Sequence, residues 1–290
     1  MISPGARLRA ALAEQPIMIP GAFNALTARM AERLGFRAVY LSGGALSAGW
    51  AGVPDIGLLT LTDFAEQAAV LARATSLPLL CDADTGFGEA LNVERTVRLY
   101  EEAGAAGLHI EDQVLPKRCG HLSGKTLVDT AAMAAKIQAA IAARRDPDFV
   151  IVARTDARSV EGLDAALARA RAYVQAGADM IFPEALETVD EFARFARTIE
   201  VPLLANMTEF GRSPLLDFAE LAALGYRAAL YPLTAFRAAM RAAGETLREL
   251  ASTGNQRAAL PRMMTRAELY DLIGYDAWEE RDRALFESQR

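Results

Sequence analysis

Two aspartates separated by one residue, Asp82 and Asp84, follow directly on an apolar run of the chain. Residues i and i+2 of an extended strand point to the same side, so both carboxylates are expected to face one site. Such a pair repels unless a cation joins it, and oxygen ligands alone favour Mg²⁺, or Mn²⁺, over zinc. Glu111 and Asp112 end the next apolar run and add oxygens to this predicted metal site. Asp55 and Glu111 are expected to act through bound water.

These polar segments could also be a turn cap, a calcium-binding loop or a phosphate-binding loop. An isolated Asp-X-Asp more often caps a turn, which is the structural alternative. An EF-hand is excluded, because the twelfth position counted from Asp82 is Val93 rather than Glu. The Gly-Lys-Thr at 124–126 is not a phosphate-binding loop, because Cys119 stands where that motif requires Gly.

A cysteine among charged residues, in the sequence Lys117-Arg-Cys-Gly-His, is the second chemical feature. Flanking cations stabilise a thiolate, which suits a nucleophilic or proton-transferring thiol at Cys119. Cys81 lies inside an apolar run and is predicted to be a small buried hydrophobe. His121 either assists the thiol or orients ligand and loop, and the sequence leaves both roles open. His109 lies inside another apolar run, which is typical of a satisfied core histidine.

Arginines and a Gly-rich turn are the candidate groups for binding carboxylates. Arg154 ends an apolar run, where a guanidinium is costly to bury without an anionic partner. Arg237 and Arg266 lie beyond the last apolar run, and each taken singly is typical of a solvated helix residue. The segment Ser42-Gly43-Gly44 exposes backbone N–H groups that could hold a carboxylate, although it also fits an ordinary turn.

Eight short apolar runs, each followed by a longer helical pattern, must position these residues. The runs are continuous rather than alternating, which is typical of parallel strands buried on both faces. The repeat predicts an α/β fold, a (β/α)₈ TIM barrel whose polar clusters share the C-terminal face; an open doubly wound sheet is the alternative. The runs are Ile17–Pro20, Ala38–Ser42, Pro78–Asp82, Gly107–Glu111, Phe149–Arg154, Met180–Pro183, Pro202–Asn206 and Ala228–Tyr231.

The 290 residues are predicted to form a single barrel domain with an N-terminal helical segment at 1–16 and a helical tail at 233–290. With 52% hydrophobic residues the chain can bury a large core. The formal net charge of −6 argues against nucleic acid or anionic membrane as a partner. Two cysteines cannot form a disulfide framework, and no secretory signal or membrane-spanning run is found, so a cytoplasmic protein is expected.

Seven motifs together resemble the isocitrate lyase and phosphoenolpyruvate mutase superfamily. The resemblance runs from about residue 20 into the tail, and the Lys-Arg-Cys-Gly-His motif is specific to the lyase branch. The motifs are Tyr40-Leu-Ser-Gly-Gly, Asp82-Ala-Asp-Thr-Gly-Phe-Gly, Leu108-His-Ile-Glu-Asp-Gln, Lys117-Arg-Cys-Gly-His, Ala153-Arg-Thr-Asp-Ala, Phe182-Pro-Glu-Ala and Leu204-Ala-Asn-Met-Thr-Glu-Phe-Gly.

This resemblance implies Mg²⁺-dependent cleavage of 2-methylisocitrate to pyruvate and succinate, a step of the methylcitrate cycle in propionate catabolism. It also implies a homotetramer, a dimer of dimers in which the helix after strand eight is exchanged between subunits. Asp82 and Asp84 would bind the metal. The implied substrate-binding residues are Ser42, Gly43, Gly44, Cys119, Gly120, His121, Arg154, Glu184, Asn206, Met207, Thr208, Arg237 and Arg266.

Such a cleavage needs a base for the substrate hydroxyl and an acid for the departing carbanion. Cys119 is the candidate acid, and Tyr40, Glu184 and a metal-bound water are the candidate bases. The alternatives are a lyase for a related 2-alkylmalate or for isocitrate, a phosphonomutase, and a binding barrel without catalysis.

Overall fold

Eight parallel strands form the centre of the chain in a computed structural model that describes residues 2–287. Each predicted run overlaps one strand, which confirms the α/β assignment. The strands are β1 (Ile17–Pro20), β2 (Val39–Leu41), β3 (Leu79–Asp82), β4 (Gly107–Glu111), β5 (Val150–Thr155), β6 (Met180–Pro183), β7 (Leu204–Asn206) and β8 (Ala228–Tyr231).

Helices follow the strands and cover them on the outside. The helices are α1 (Pro4–Glu14), α2 (Ala25–Arg33), α3 (Gly43–Leu46), α4 (Leu61–Ala74), α5 (Ala90–Ala103), α6 (Thr130–Ala143), α7 (Leu163–Gln175), α8 (Val189–Thr198), α9 (Phe218–Leu224), α10 (Thr234–Thr253), α11 (Arg266–Ile273) and α12 (Tyr275–Glu287). Several end as glycine spacing predicts: Gly104 after α5 and Gly225 after α9 have φ of 90° and 103°, which favours glycine.

The strands close into a barrel through two single bridges. Strands β2 to β6 pair in sequence order, and β8 lies between β1 and β7. A parallel bridge from Gly21 to Tyr40 joins β1 to β2, and another from Ile181 to Leu203 joins β6 to β7. Because both gaps are bridged, the sheet has no open edge, and the doubly wound alternative is wrong.

Side chains alternate between two apolar layers. Val150 and Val152 point into the barrel, whereas Ile151 packs against the surrounding helices. Leu8 and Leu12 of α1 belong to the interior cluster and cover the N-terminal mouth of the barrel. The C-terminal mouth is thus the end at which polar side chains gather.

The C-terminal helices differ from the barrel in how little they bury. Helix α10 contains 20 residues, none of them buried, and Leu247 is 64% exposed. Helix α11 contacts α2, where Arg33 forms an ion pair with Asp271. Residues 288–290 of the predicted tail, and residue 1 of the N-terminal segment, lie outside the described residues. Over residues 2–287, no helix combines the length and apolar character needed to cross a bilayer.

Candidate active site

The two aspartates of the Asp-X-Asp motif lie at the C-terminal end of β3. Asp82 is held by backbone donors, because its Oδ2 accepts from Gly43 N at 3.0 Å and its Oδ1 accepts from Asp84 N at 3.0 Å. Burial opposes ionisation of Asp82, but interactions with His109, Lys117 and Arg154 lower its pKa below the usual value. Burial and the adjacent carboxylates raise the pKa of Asp84 to about 7.

An ammonium group lies among these carboxylates. Lys117 Nζ forms ion pairs with Asp55 and, at 2.8 Å, with Asp84 Oδ1. Burial favours the neutral amine, yet Asp84, Glu111 and Asp55 raise the pKa of Lys117. The sequence suggested only that this lysine flanks the cysteine. Its position shows that the oxygens of the site bind a cation.

These oxygens fit Mg²⁺ better than a metal that demands a full protein cage. Within residues 2–287, no group of three or more His, Cys, Asp and Glu side chains converges as a metal site. Mg²⁺ is usually held by one or two carboxylates and keeps waters and substrate oxygens as its other ligands. Asp82 and Asp84 supply such a pair, and Glu111 Oε1 is a buried oxygen without a hydrogen-bond partner.

Asp112 does not join this group, and the expectation that it adds a metal-binding oxygen is wrong. Its Oδ2 accepts hydrogen bonds from Thr155 Oγ1 and from Tyr173 OH, each at 2.8 Å. Its Oδ1 accepts from Asp156 N at 2.9 Å. Asp112 therefore fixes the end of β5, the strand that pairs with β4.

Arg154 gathers three carboxylates at the end of β5. Its Nε lies 2.9 Å from Asp156 Oδ2 and 3.3 Å from Glu111 Oε2, while its Nη1 lies 3.3 Å from Glu184 Oε2. The guanidinium also lies over the ring of Phe182, 5.2 Å from its centroid. Burial opposes the charge, but these anions raise the pKa of Arg154 further, so its charge is permanent.

Glu184 connects the site to the loop that carries the cysteine. His121 Nε2 lies 2.8 Å from Glu184 Oε1, and Asn206 Nδ2 donates to both carboxylate oxygens at 3.2–3.3 Å. Despite burial, Arg154 and His121 lower the pKa of Glu184. On the same loop, Lys125 Nζ donates to Gly120 O and, at 2.8 Å, to Asp156 Oδ1.

We call residues 113–128 the gate loop, because they cover a small cavity at the mouth of the barrel. The cavity has a volume of about 70 Å³. Pockets that hold drug-sized ligands usually measure roughly 300–1,000 Å³. A ligand of that size does not fit while Lys117 and His121 pair with their carboxylate partners.

Cys119 lines this cavity from the gate loop and is exposed. The surrounding protein nevertheless withdraws its thiol from water enough to raise its pKa, and Glu184 adds to the shift. The expectation that flanking cations stabilise the thiolate is wrong, because Lys117 turns away to the carboxylates. A protonated thiol suits an acid.

Tyr40 and His109 form a buried pair across the barrel. Tyr40 OH lies 2.7 Å from His109 Nε2, and burial lowers the pKa of His109 to about 4. Nδ1 of His109 has no hydrogen-bond partner, so the expectation of a satisfied core histidine is only half met. Burial also raises the pKa of Tyr40 well above its ordinary value, so its phenol is protonated.

The cavity brings together most of the residues singled out from the sequence. Gly43 lies behind it and binds Asp82 through its N–H. Met207 is buried in the outer core, Arg237 is bound to Glu209, and Arg266 is exposed at the start of α11; none of the three lines the cavity. The predicted residues that line it are Tyr40, Ser42, Gly44, Asp55, Asp82, Cys119, Gly120, His121, Arg154, Glu184, Asn206 and Thr208.

Three residues at the site were not predicted from the sequence, although a weak sequence signal pointed to each of them. Asp156 follows Arg154 at i+2 and shares its side of the strand end. Lys125 belongs to the Gly-Lys-Thr segment that was considered only as a phosphate loop. Phe182 precedes the Pro-Glu of a motif and looked like one more apolar strand residue.

Comparison with known proteins agrees with this geometry. The family model described as phosphoenolpyruvate phosphomutase matches residues 8–251. The chain belongs to the phosphoenolpyruvate mutase and isocitrate lyase superfamily. The family resemblance of the seven motifs is thereby confirmed.

Within this superfamily the chain is similar to several lyases. It is 51% identical to the 2-methylisocitrate lyase of Aeropyrum pernix, covering 96% of this chain and 90% of the relative. It is also 51% identical to that of Escherichia coli, covering 98% and 97%. A crystal structure of 2,3-dimethylmalate lyase superposes with a TM-score of 0.92 at 36% identity, covering 98% and 96%.

One further superfamily structure contains a metal. Phosphonopyruvate hydrolase, solved in complex with oxalate and Mg²⁺, superposes with a TM-score of 0.86 at 36% identity, covering 98% of both chains.

Replacing Gly120 with Ala tests closure of the gate loop. A Cβ at this position would collide with Arg154 Nη2 and Glu184 Cγ. We expect kcat/KM for the lyase reaction to fall about 100-fold, because small displacements of reacting groups cost this much. The free energy of unfolding should fall by about 1–3 kcal/mol, because the loop relieves the clash by opening and so separates its buried ion pairs. Ser123→Ala, at an exposed gate position, is the control. Equal activity of Gly120→Ala and the control would show that this closure is not required.

Proposed function

We propose that this protein is a Mg²⁺-dependent carbon–carbon lyase that cleaves 2-methylisocitrate to pyruvate and succinate, the lyase step of the methylcitrate cycle. The observation that carries the proposal is the identity of about half of all residues, over nearly the whole chain, to 2-methylisocitrate lyases. The constellation of paired carboxylates, Arg154 and a gate cysteine supports the same reaction. A cysteine that must remain a free thiol suits the cytoplasm.

The residues at the end of β3 would hold the metal. Asp82 and Asp84 would supply its carboxylates, with Asp55 and Glu111 reaching it through water. When bound, Mg²⁺ polarises the substrate hydroxyl and the neighbouring carboxylate and so stabilises the developing keto acid. Lys117 pairs with Asp55 and Asp84 here and would have to leave them for a metal to use the same oxygens.

The remaining residues would position the substrate and move protons. Removal of the hydroxyl proton lets the C–C bond break, and the electron pair of that bond passes to the carbon of the departing succinate. Glu184 is ionised, but its lowered pKa makes it a weak base while Arg154 and His121 face it, whereas Tyr40 is protonated and suits donation of a hydrogen bond. Arg154 would bind the succinate carboxylate, and the Cys119 thiol would donate its proton to the carbanion.

The C-terminal helices support a second part of the proposal, a homotetramer in which α10 is exchanged between subunits. Helix α10 buries none of its residues within its own chain, although Met240, Leu247 and Leu250 recur along it. A helix of 20 residues with such a stripe is usually stabilised by packing against a partner. Exchange would also offer Arg237 and Arg266 to a neighbouring site.

Product analysis tests the reaction directly. The purified protein with Mg²⁺ is incubated in parallel with racemic 2-methylisocitrate, isocitrate, 2,3-dimethylmalate and phosphoenolpyruvate, and products are identified by mass spectrometry. We expect pyruvate and succinate from 2-methylisocitrate at the highest kcat/KM, loss of turnover with EDTA, and recovery on adding Mg²⁺. Faster cleavage of the dimethylmalate would assign a 2-alkylmalate lyase, and conversion of phosphoenolpyruvate would assign a mutase. Full turnover of the metal-free protein would refute the metal site.

Cys119→Ser tests the acid. Serine keeps the size of the side chain but is a far weaker acid, so we expect kcat to fall by at least about 1,000-fold while substrate binding, measured by calorimetry, stays detectable. Cys81→Ser, at a buried cysteine outside the cavity, separates general damage from loss of the acid. Near-normal turnover of Cys119→Ser would exclude the assignment.

Light scattering with size-exclusion chromatography tests the assembly. We expect a mass of four times the 31.2 kDa of one chain. Leu247→Glu should produce smaller species, because it places a charge on the apolar stripe of α10. Leu91→Glu, the same change at an exposed leucine of α5, should leave the mass unchanged. A monomeric wild-type protein would contradict the exchange.

A further inference from the structure

The loop that carries the metal-binding aspartates has an unusual backbone. It joins β3 to α5 over residues 82–88, and four of its residues have positive φ: Asp84 at 45°, Gly86 at 88°, Phe87 at 56° and Gly88 at 143°. A left-handed conformation at a residue other than glycine costs about 1 kcal/mol or more. Such a loop keeps its shape only if the surrounding protein determines it.

Five successive carbonyls of this loop, from residue 82 to residue 86, each accept a hydrogen bond. Two of the donors are backbone amides: Gly86 N donates to Ala83 O at 2.8 Å, and Glu111 N donates to Asp84 O at 2.9 Å. The other three are buried side chains of the covering helices. Tyr100 OH donates to Asp82 O at 2.6 Å, and Lys136 Nζ donates to Thr85 O at 3.1 Å. Thr96 Oγ1 shares its one hydrogen between Gly86 O at 3.1 Å and Asn92 O of its own helix at 2.8 Å.

Of these three side chains, Lys136 is the one whose burial is not explained by packing alone. It is 4% exposed, yet within residues 2–287 no carboxylate forms an ion pair with it, and Glu89, which favours its charge, lies beyond ion-pair distance. A buried ammonium without a carboxylate in contact is costly, and an apolar residue on this face of α6 would pack at no such cost. Its hydrogen bond to Thr85 O lies next to Asp84.

We propose that Tyr100, Thr96 and Lys136, here called the loop clamp, are positioning residues that hold Asp82 and Asp84 at the spacing a divalent cation requires. This inference rests on the proposed metal site. Two buried carboxylates in one loop repel each other, and a free loop would relax by separating them. The clamp opposes this relaxation from the far side of the loop, so the ligands are already in place when the cation binds.

Whether substitution of Lys136 weakens or strengthens metal binding distinguishes a positioning role from a purely electrostatic one. A buried positive charge near a cation site repels the cation, so its removal alone should strengthen metal binding. Loss of a positioning contact should weaken binding instead. Lys136→Met removes the charge and the donor, whereas Lys136→Gln removes the charge and keeps a shorter donor.

The experiment measures the Kd of Mn²⁺ for the full-length protein without substrate, by the electron paramagnetic resonance signal of free Mn²⁺. We expect about tenfold weaker binding for Lys136→Met, Thr96→Val and Tyr100→Phe, the usual size of effects from groups behind metal ligands. Thr96→Ser and Lys136→Gln, which keep a donor, should recover part of the affinity. Tyr226→Phe is the matched control, because Tyr226 OH is a buried donor to a carbonyl of α8, Phe192 O.

Each outcome decides one question. Weak or absent Mn²⁺ binding by the wild-type protein, or binding unaffected by Asp84→Asn, would refute the metal site itself. Binding that Asp84→Asn abolishes but the clamp variants leave within twofold of wild type would refute the clamp alone. Tighter binding by Lys136→Met, or an equal loss in Tyr226→Phe, would also refute it.

Discussion

Mutual repulsion of buried carboxylates is the constraint on which the rest of this structure depends. Acidic and basic side chains are buried together at the C-terminal mouth of the barrel. Each buried carboxylate without a cation beside it would raise the free energy of the folded state. The carboxylates are those of Asp82, Asp84, Glu111, Asp156 and Glu184, and the cations facing them are Lys117, Lys125 and Arg154. The acids outnumber these cations, which is the situation in which a bound Mg²⁺ stabilises a site.

The gate loop is part of this charge balance as well as a cover. It contributes Lys117 to the β3 carboxylates, His121 to Glu184 and Lys125 to Asp156. Closure therefore links three separate strand ends through one segment of chain. A metal and a polyanionic substrate alter the charge that these groups face, so binding of ligand and movement of the loop are expected to be coupled.

The barrel and its outer helices fix the positions of the metal-binding carboxylates, and the gate loop is the part that is expected to move. Helix α1 covers the N-terminal mouth, and bridges at Gly21 and Ile181 close the sheet. Side chains of the outer helices reach behind the β3 loop and hold its carbonyls, so residues far from the cavity bear on the position of Asp82 and Asp84. Within one chain, the α10 helix lacks a comparable partner surface, which is why subunit association belongs to the same functional proposal.

Sequence patterns were sufficient for those features that are local. Continuous apolar runs located every strand, because parallel strands buried on both faces are short and apolar throughout, whereas the helices between them are longer and amphipathic. Polar residues at the run ends indicated the face of the site, and the spacing of Asp82 and Asp84 indicated a cation. Asp112 was misassigned for a related reason: adjacent residues of a strand point to opposite sides, and Asp112 turns away from Glu111 toward Thr155 and Tyr173.

The amino-acid sequence by itself determined the order of strands and helices, the family and the types of group at the mouth. Only the tertiary structure decided that the sheet closes into a barrel and which acidic group faces which basic group. Lys117 pairs with Asp55, 62 positions earlier, rather than with the thiol two positions later, and Lys136 reaches the carbonyl of Thr85, 51 positions earlier. The physical reason is that protonation and pairing depend on burial and on distances of a few ångströms, and these distances are set by the closure of the barrel.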